Sequence, residues 1–173
     1  MLRNLQELEH ARILATDGEI GKVKDLYFED DAWVVRYLVV ETGSWLSSRQ
    51  VLLSPISVLR PDWVAQTLPV SLTQAQVRNS PDIDTDQPVS RQNESQYLGY
   101  YGYPSYWEGG GLWGEGMYPY AMVPGYAMAG VDRAERDRQL EVYLNADRVR
   151  HENDDPHLRS CKAVVGYHVH ASD

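Results

Sequence analysis

Asp82-Ile-Asp84-Thr-Asp86 places three carboxylates at alternate positions, the spacing that opens a calcium loop. Such a loop needs glycine at its sixth position for the turn and glutamate at its twelfth as a bidentate ligand. Those positions hold Gln87 and Asn93, so the segment reads as a polar loop leaving a helix after Ser80-Pro81. His168 and His170 would share one face of a strand, with His151 and His157 nearby in sequence. Structural zinc takes four ligands, usually including cysteine, and Cys161 is the chain's one thiol. The histidines therefore read as an exposed strand start, Cys161 as a lone structural or surface thiol, and no metal is assigned. Asp17, Glu19 and Asp25 gather around a turn, where paired carboxylates do acid–base work only with a partner group and a pocket. Neither can be named, and turn and strand-edge positions account for all three. Gly109-Gly110-Gly111 lacks the Lys-Ser/Thr of a phosphate loop, and no Gly-x-Ser-x-Gly elbow occurs. The sequence thus predicts a non-enzyme, with no catalytic residue and no cofactor.

Composition narrows the class of partner. The chain has 173 residues, 43% of them hydrophobic, with a net charge of −9 from 16 Lys and Arg against 25 Asp and Glu. That supports one domain with an appendage and a real core. So negative a chain has no general attraction for phosphate backbones, so no direct nucleic-acid contact is expected. The most apolar window, 32–40, is interrupted by Arg36 and falls far short of about 20 residues needed to span a bilayer. No apolar leader follows Met1, and the expected address is cytoplasmic, with any membrane association peripheral and through a partner.

Three zones must position whatever function there is. Residues 1–90 carry short β-type runs: 11–16, 22–29, 33–42, 49–54, 56–60 and 67–72, divided by Asp17-Gly18, Glu29-Asp30-Asp31, Gly43, Pro55 and Pro61. They predict an antiparallel meander closing as a small barrel, followed by a helix of one to two turns with Thr73 as its N-cap. In the third run Trp33, Val35, Tyr37 and Val39 fall on one face, and Val34, Leu38 and Val40 share the other with Arg36. A strand apolar on both faces is covered on both, so a later segment or a second protein must lie over this one.

The second zone, 91–130, changes character. From Tyr97 to Gly130 it holds eight of the twelve Tyr and nine of the thirteen Gly, with no Lys or Arg. At that density of Gly and Pro no helical or strand period survives, so 97–130 reads as irregular. Tyr97, Tyr100, Tyr101, Tyr103, Tyr106 and Trp107 cluster around Pro104, and residues of this kind are enriched at interfaces. They are the candidate partner-binding residues, with three uses open: folding back over the two-faced strand, contacting a partner, or serving merely as a linker. The third zone, 131–157, is a charged linker with a possible short helix at 132–144. Residues 158–173, LRSCKAVVGYHVHASD, overlay 2–17, LRNLQELEHARILATD, without a gap, and read as the start of a second, truncated copy. Such a piece must fray, pair with the first barrel's edge, or add a strand to another chain.

Taken in order, DGEIGKVKDLYFEDD (17–31), WVVRYLVVETGSWL (33–46), VLLSP (51–55) and VSLTQAQVRNSPDID (70–84) resemble the PRC-barrel family, named for the cytoplasmic domain of the photosynthetic reaction centre H subunit. YYGYPSYW (100–107) is similar to the extension of stand-alone bacterial members, and the overlay fits tandem members. The resemblance implies an all-β fold: a small, partly open antiparallel β-barrel with a short helix and a Gly/Tyr-rich extension. It also implies a docking module, since H subunits cap membrane helices and ribosome-maturation members dock onto a ribosomal protein. It carries no family-wide catalytic residue. The H subunit's proton-uptake role depends on a transmembrane helix and acidic cluster of its own and is not transferred. The expected partner is a protein, a second copy of the chain among the possibilities, with a ribosome- or RNA-processing-associated adaptor binding a basic protein as the alternative and a metal-dependent enzyme ranked third.

Overall fold

Two tight turns and one bulge-bent hairpin build the sheet. The computed structural model describes residues 4, 7–81, 89, 91–107, 110–114, 116–119 and 158–166. Strand β1 (Arg12–Ala15) turns at Asp17-Gly18 into β2 (Gly18–Glu29), which pairs antiparallel with β3 (Val34–Thr42) and through it with β4 (Gln50–Leu53). β5 (Thr67–Pro69) lies beside β1, and the order is β4-β3-β2-β1-β5. The pairing of β1 with β5 is parallel, so the sheet is mixed, correcting the expected all-antiparallel meander. No ladder closes the path from β4 to β5. A single bridge, Val58 to Val70, draws the ends together, flanked by Leu59 N–H to Pro69 O at 2.8 Å and Ser71 N–H to Ser57 O at 2.9 Å. The expected strand at 56–60 is absent because Pro55 starts a 3-10 turn, Pro55–Ser57, capped by the Ser54 hydroxyl.

Helix α1 (Gln74–Arg78) forms where Thr73 signals it, with a reciprocal capping box between Thr73 and Gln76. Asp17 accepts from Gln74 N at 2.7 Å, tying the helix to the first turn. Arg49 donates to the carbonyls of Arg78, Ser80 and Pro81 beyond the helix's end. Helix α2 (Arg91–Tyr101) corrects the expectation that the chain is irregular from Tyr97. The run RQNESQYL is made largely of helix-tolerant residues, the helix tolerates Gly99, and it stops where Gly102 and Pro104 follow.

Both faces of β3 are buried, in two separate cores. Ile13, Ile20, Val23, Leu26, Leu38, Val40, Val51, Leu53, Leu68 and Val70 fill the barrel interior. Tyr27, Tyr37, Val39, Leu52 and Ile56 form the second core with Val89, Tyr97, Leu98, Tyr103, Tyr106 and Trp113. Two bulges set this division. The β2–β3 register skips Lys24 between Val23 and Asp25, so Val23 and Leu26 both reach the interior. It skips Arg36 between Tyr37 and Val35, which turns Arg36 onto the side of Tyr37 and leaves Val35 on the side of Leu38. That corrects the simple alternation predicted from sequence. Trp33 leaves the strand altogether: it sits in the turn at φ 55°, 71% exposed, stacked on Phe28 at 4.9 Å.

One glycine in this frame is there for space. A Cβ on Gly21 would run into the Glu41 backbone across the β2–β3 pair. Gly21→Ala is expected to lower stability by about 1–3 kcal/mol through overpacking, measurable as a reduced urea midpoint at unchanged slope.

Candidate interaction site

The aromatic arm is part of the folded body. Tyr97, Tyr103 and Tyr106 are buried, Tyr101 and Trp107 are half-buried, and Tyr100 is the exposed member at 40%. Tyr97 is placed by α2 over the free side of β4, where its hydroxyl accepts from Ser54 N at 3.1 Å and donates to Leu52 O at 2.9 Å. It thereby satisfies two backbone groups of an edge strand with a side chain. Tyr100 reaches the other way and donates to Gln76 O of α1 at 2.7 Å. Tyr101 stacks on Tyr103 with ring centres 5.7 Å apart.

Arg36 fastens the far end of the arm. It is 3% exposed and donates to Glu29, itself 5% exposed, through Nη2 at 2.5 Å and Nε at 3.2 Å. Its Nη1 donates to Leu112 O, and its guanidinium lies over the rings of Tyr106 at 3.9 Å and Trp113 at 4.9 Å. The Tyr106 hydroxyl donates in turn to buried Glu94 of α2 at 2.5 Å. One cation produced by a bulge thus holds a carboxylate, a carbonyl and two aromatic faces. Burial raises the phenols of Tyr37, Tyr97 and Tyr101 well above their ordinary range and pushes Tyr103 up to about 12.

The other candidates divide cleanly. Asp17 caps α1, Glu19 stands 3.6 Å from Arg12, and Asp25 accepts from Leu26 N and Ser160 Oγ, so the three acids serve the turn and the edge. Among the described residues no group of three His, Cys, Asp or Glu side chains could hold a metal. No helix there is long and apolar enough to cross a membrane. Asp82, Asp84, Asp86, Gly109, His151, His157, His168, His170 and the possible helix at 132–144 lie outside the described residues. Cys161 is half-buried and its thiol is pushed up to about 11, first by burial and then by Asp25 and Glu9. Its alkylation at pH 8 is therefore expected to run roughly a hundredfold slower than that of an unstructured thiol, with urea abolishing the difference.

Besides Trp33, the barrel presents a group of large apolar side chains to solvent between β4 and β5. Leu59 is 52% exposed, Trp63 40% and Val64 98%. The turn carrying them is held by the reciprocal backbone pair of Asp62 and Thr67, and by Asp62 Oδ1 accepting from Val64 N and Ala65 N, both at 3.0 Å. A cavity of about 230 Å³ opens beside it, lined by Glu7, Ala11, Asp62, Trp63, Gln66, Thr67 and Leu68. Sequence reasoning read this stretch only as strands and turns. The signal available was Trp63-Val64 between Pro61-Asp62 and Gln66, an apolar pair inside turn chemistry. Leu112, Met117 and Tyr118 form a second exposed group on the arm.

The mixed sheet, not fully closed into a barrel, is consistent with a PRC-barrel-like fold. Residues 3–65 match the PRC-barrel domain. A relative from Deinococcus radiodurans, described as an uncharacterized protein, is 34% identical over 89 residues, covering 45% of this chain and 32% of that one. The chain therefore spans about a third of that relative's length. A solved structure of a putative 16S ribosomal RNA processing protein, RimM, from Pseudomonas aeruginosa aligns at 19% identity and a TM-score of 0.34, over 42% of this chain and 45% of that one. The PRC-barrel match ends just past Val64, and β5, α1 and α2 follow it.

Proposed function

We propose that this chain is a non-enzymatic protein-docking module of the PRC-barrel type, whose docking face is the Leu59–Val64 turn rather than the buried part of the aromatic arm. The observation that carries the reading is the turn itself. Its backbone is tightly hydrogen-bonded, yet it holds Trp63 and Val64 out into water. Rigid presentation of apolar side chains beside a concavity is what a recognition surface needs, because little entropy is lost on binding. The net charge of −9 favours a partner with a basic surface. Tyr100 and Trp107, with Leu112, Met117 and Tyr118, supply a second contact area from the arm.

A photo-crosslinking residue at position 64 is expected to capture a protein from a lysate of the source organism. Trp63→Ala should reduce that capture by about tenfold or more while leaving the fold intact, as removal of an interface Trp anchor does. Capture from positions 112 and 118 but not 64 would overturn the assignment of the face.

We also read residues 158–173 as the start of a second copy, the partner of 2–17 in the sequence overlay. Ser160 caps helix α3 (Cys161–Val164) with its hydroxyl, and at the overlaid position the backbone carbonyl of Asn4 accepts from Glu7 N at 3.0 Å. Both turns close on a left-handed residue at the matching position, His10 at φ 67° and Gly166 at φ 92°.

A further inference from the structure

Strand β6 (Leu158–Ser160) comes from far along the chain to lie antiparallel on β2, pairing Ser160 with Tyr27, Arg159 with Phe28 and Leu158 with Glu29. β1 occupies the same edge only as far as Val23, where Val23 N donates to Ala11 O and His10 N to Val23 O, each at 2.9 Å. β6 therefore fills the remaining stretch of β2, beyond the Lys24 bulge. Each of its residues is read separately. Leu158 is fully buried in the aromatic core, Arg159 Nε meets Asp30 Oδ2 at 2.9 Å, and Ser160 Oγ donates to Asp25. Lys162 Nζ donates to Lys24 O, and Cys161 packs against the barrel core.

Nothing in these contacts requires that β6 and β2 belong to the same molecule. The 38 residues from 120 to 157 separate β6 from the end of the arm. Fully extended, that many residues cover on the order of 120 Å, so a neighbouring copy lies within the chain's reach as well as its own barrel. A three-residue strand holds few contacts and opens at modest cost, and an opened β2 edge is a template for the same segment from another molecule.

We propose that β6 and α3 exchange between two copies of this chain, each seated on the other's β2 edge, in equilibrium with the self-seated monomer. The occupant of the slot is in both cases residues 158–164. The dimer is isologous, because each copy gives and receives the same segment. This inference uses a different surface from the Leu59–Val64 turn and stands independently of it.

Charge reversal distinguishes exchange from self-seating. Asp30→Arg alone and Arg159→Asp alone each place like charges together, whether the segment seats on its own barrel or on an identical copy. Mixed in equal amounts, the two full-length variants regain both ion pairs only by exchanging segments with each other. Native mass spectrometry at about 100 µM should show a mixed dimer with a dissociation constant on the order of tenfold below that of either variant alone, since two pairs are restored. The gain should shrink in high salt. The double variant Asp30→Arg/Arg159→Asp should behave as the unaltered chain. Mixed dimer at no more than the level of the separate variants, both folded by circular dichroism, would overturn the proposal. Should either variant fail to fold, Asp30→Lys and Arg159→Glu pose the same test with smaller changes of shape.

Discussion

Arg36→Ala is expected to destabilise the protein by about 3–5 kcal/mol, the cost of leaving a buried carboxylate without its cation. Glu29 would remain buried next to an empty volume, and Leu112 O would lose its donor. Tyr106 and Trp113 would lose the cation between them. The loss should be visible in two ways: a lower denaturation midpoint and faster proteolysis within 102–119, because the clamp joins the arm to the sheet. Arg36→Lys should recover only part of it, since a single ammonium cannot reproduce the planar fork that meets Glu29, a carbonyl and two rings. If Arg36→Ala shifted the midpoint while leaving protease sensitivity of 102–119 unchanged, the residue would hold the hairpin and not the arm.

The second large effect is a loss of stability in alkali. Tyr37, Tyr97, Tyr101 and Tyr103 all have phenols raised by burial, with further raising of Tyr37 by Glu94. An unfolded tyrosine ionises near pH 10, while these stay protonated in the fold. Above pH 10 the unfolded chain therefore binds fewer protons than the native one, and stability falls as pH rises. Together the four groups cost the fold on the order of a few kcal/mol by pH 11, a large share of a domain's total. Their contribution is fully present below pH 10; that of Tyr103 is lost between 10 and about 12. Tyrosinate absorbance and circular dichroism should change together in one steep transition. Smooth phenol titration around pH 10 with an intact dichroism signal would show that water reaches the aromatic core.

Local chemistry made much of this legible in advance. Asp17-Gly18 turns the chain, Thr73 and Gln76 box the helix, and the doubly apolar run at 33–42 demands cover on both sides. The identity of that cover is one of three readings of the arm, and the buried Tyr97, Tyr103 and Tyr106 belong to it. What could not be read was decided across the sheet. A bulge such as Arg36 is one residue gained against a partner strand, and nothing in VVRYL marks which residue is gained. The parallel β1–β5 pair and the landing of β6 on β2 join segments tens of residues apart and more. For the candidate surface, the aromatic content of the arm drew attention from Leu59, Trp63 and Val64, although Asp62 holds the turn that carries Trp63 and Val64 through bonds to Val64, Ala65 and Thr67, all close in sequence.

The Arg36 clamp and the Tyr97 hydroxyl also bear on how such a fold could be inherited. A duplication or fusion that copied only the barrel strands and α1 would carry the β4 edge without its cap and the Tyr37–Val39–Leu52 face without its lid. It would also carry a cation with nothing beyond Glu29 to hold. The segment that can move between genes and still yield a soluble product is therefore longer than the stretch that family likeness picks out, and its inner boundary lies after Trp113. Relatives that lack the arm are predicted to show compensating changes at 36, 37, 39 and 52 together, because those four positions answer to one removed neighbour.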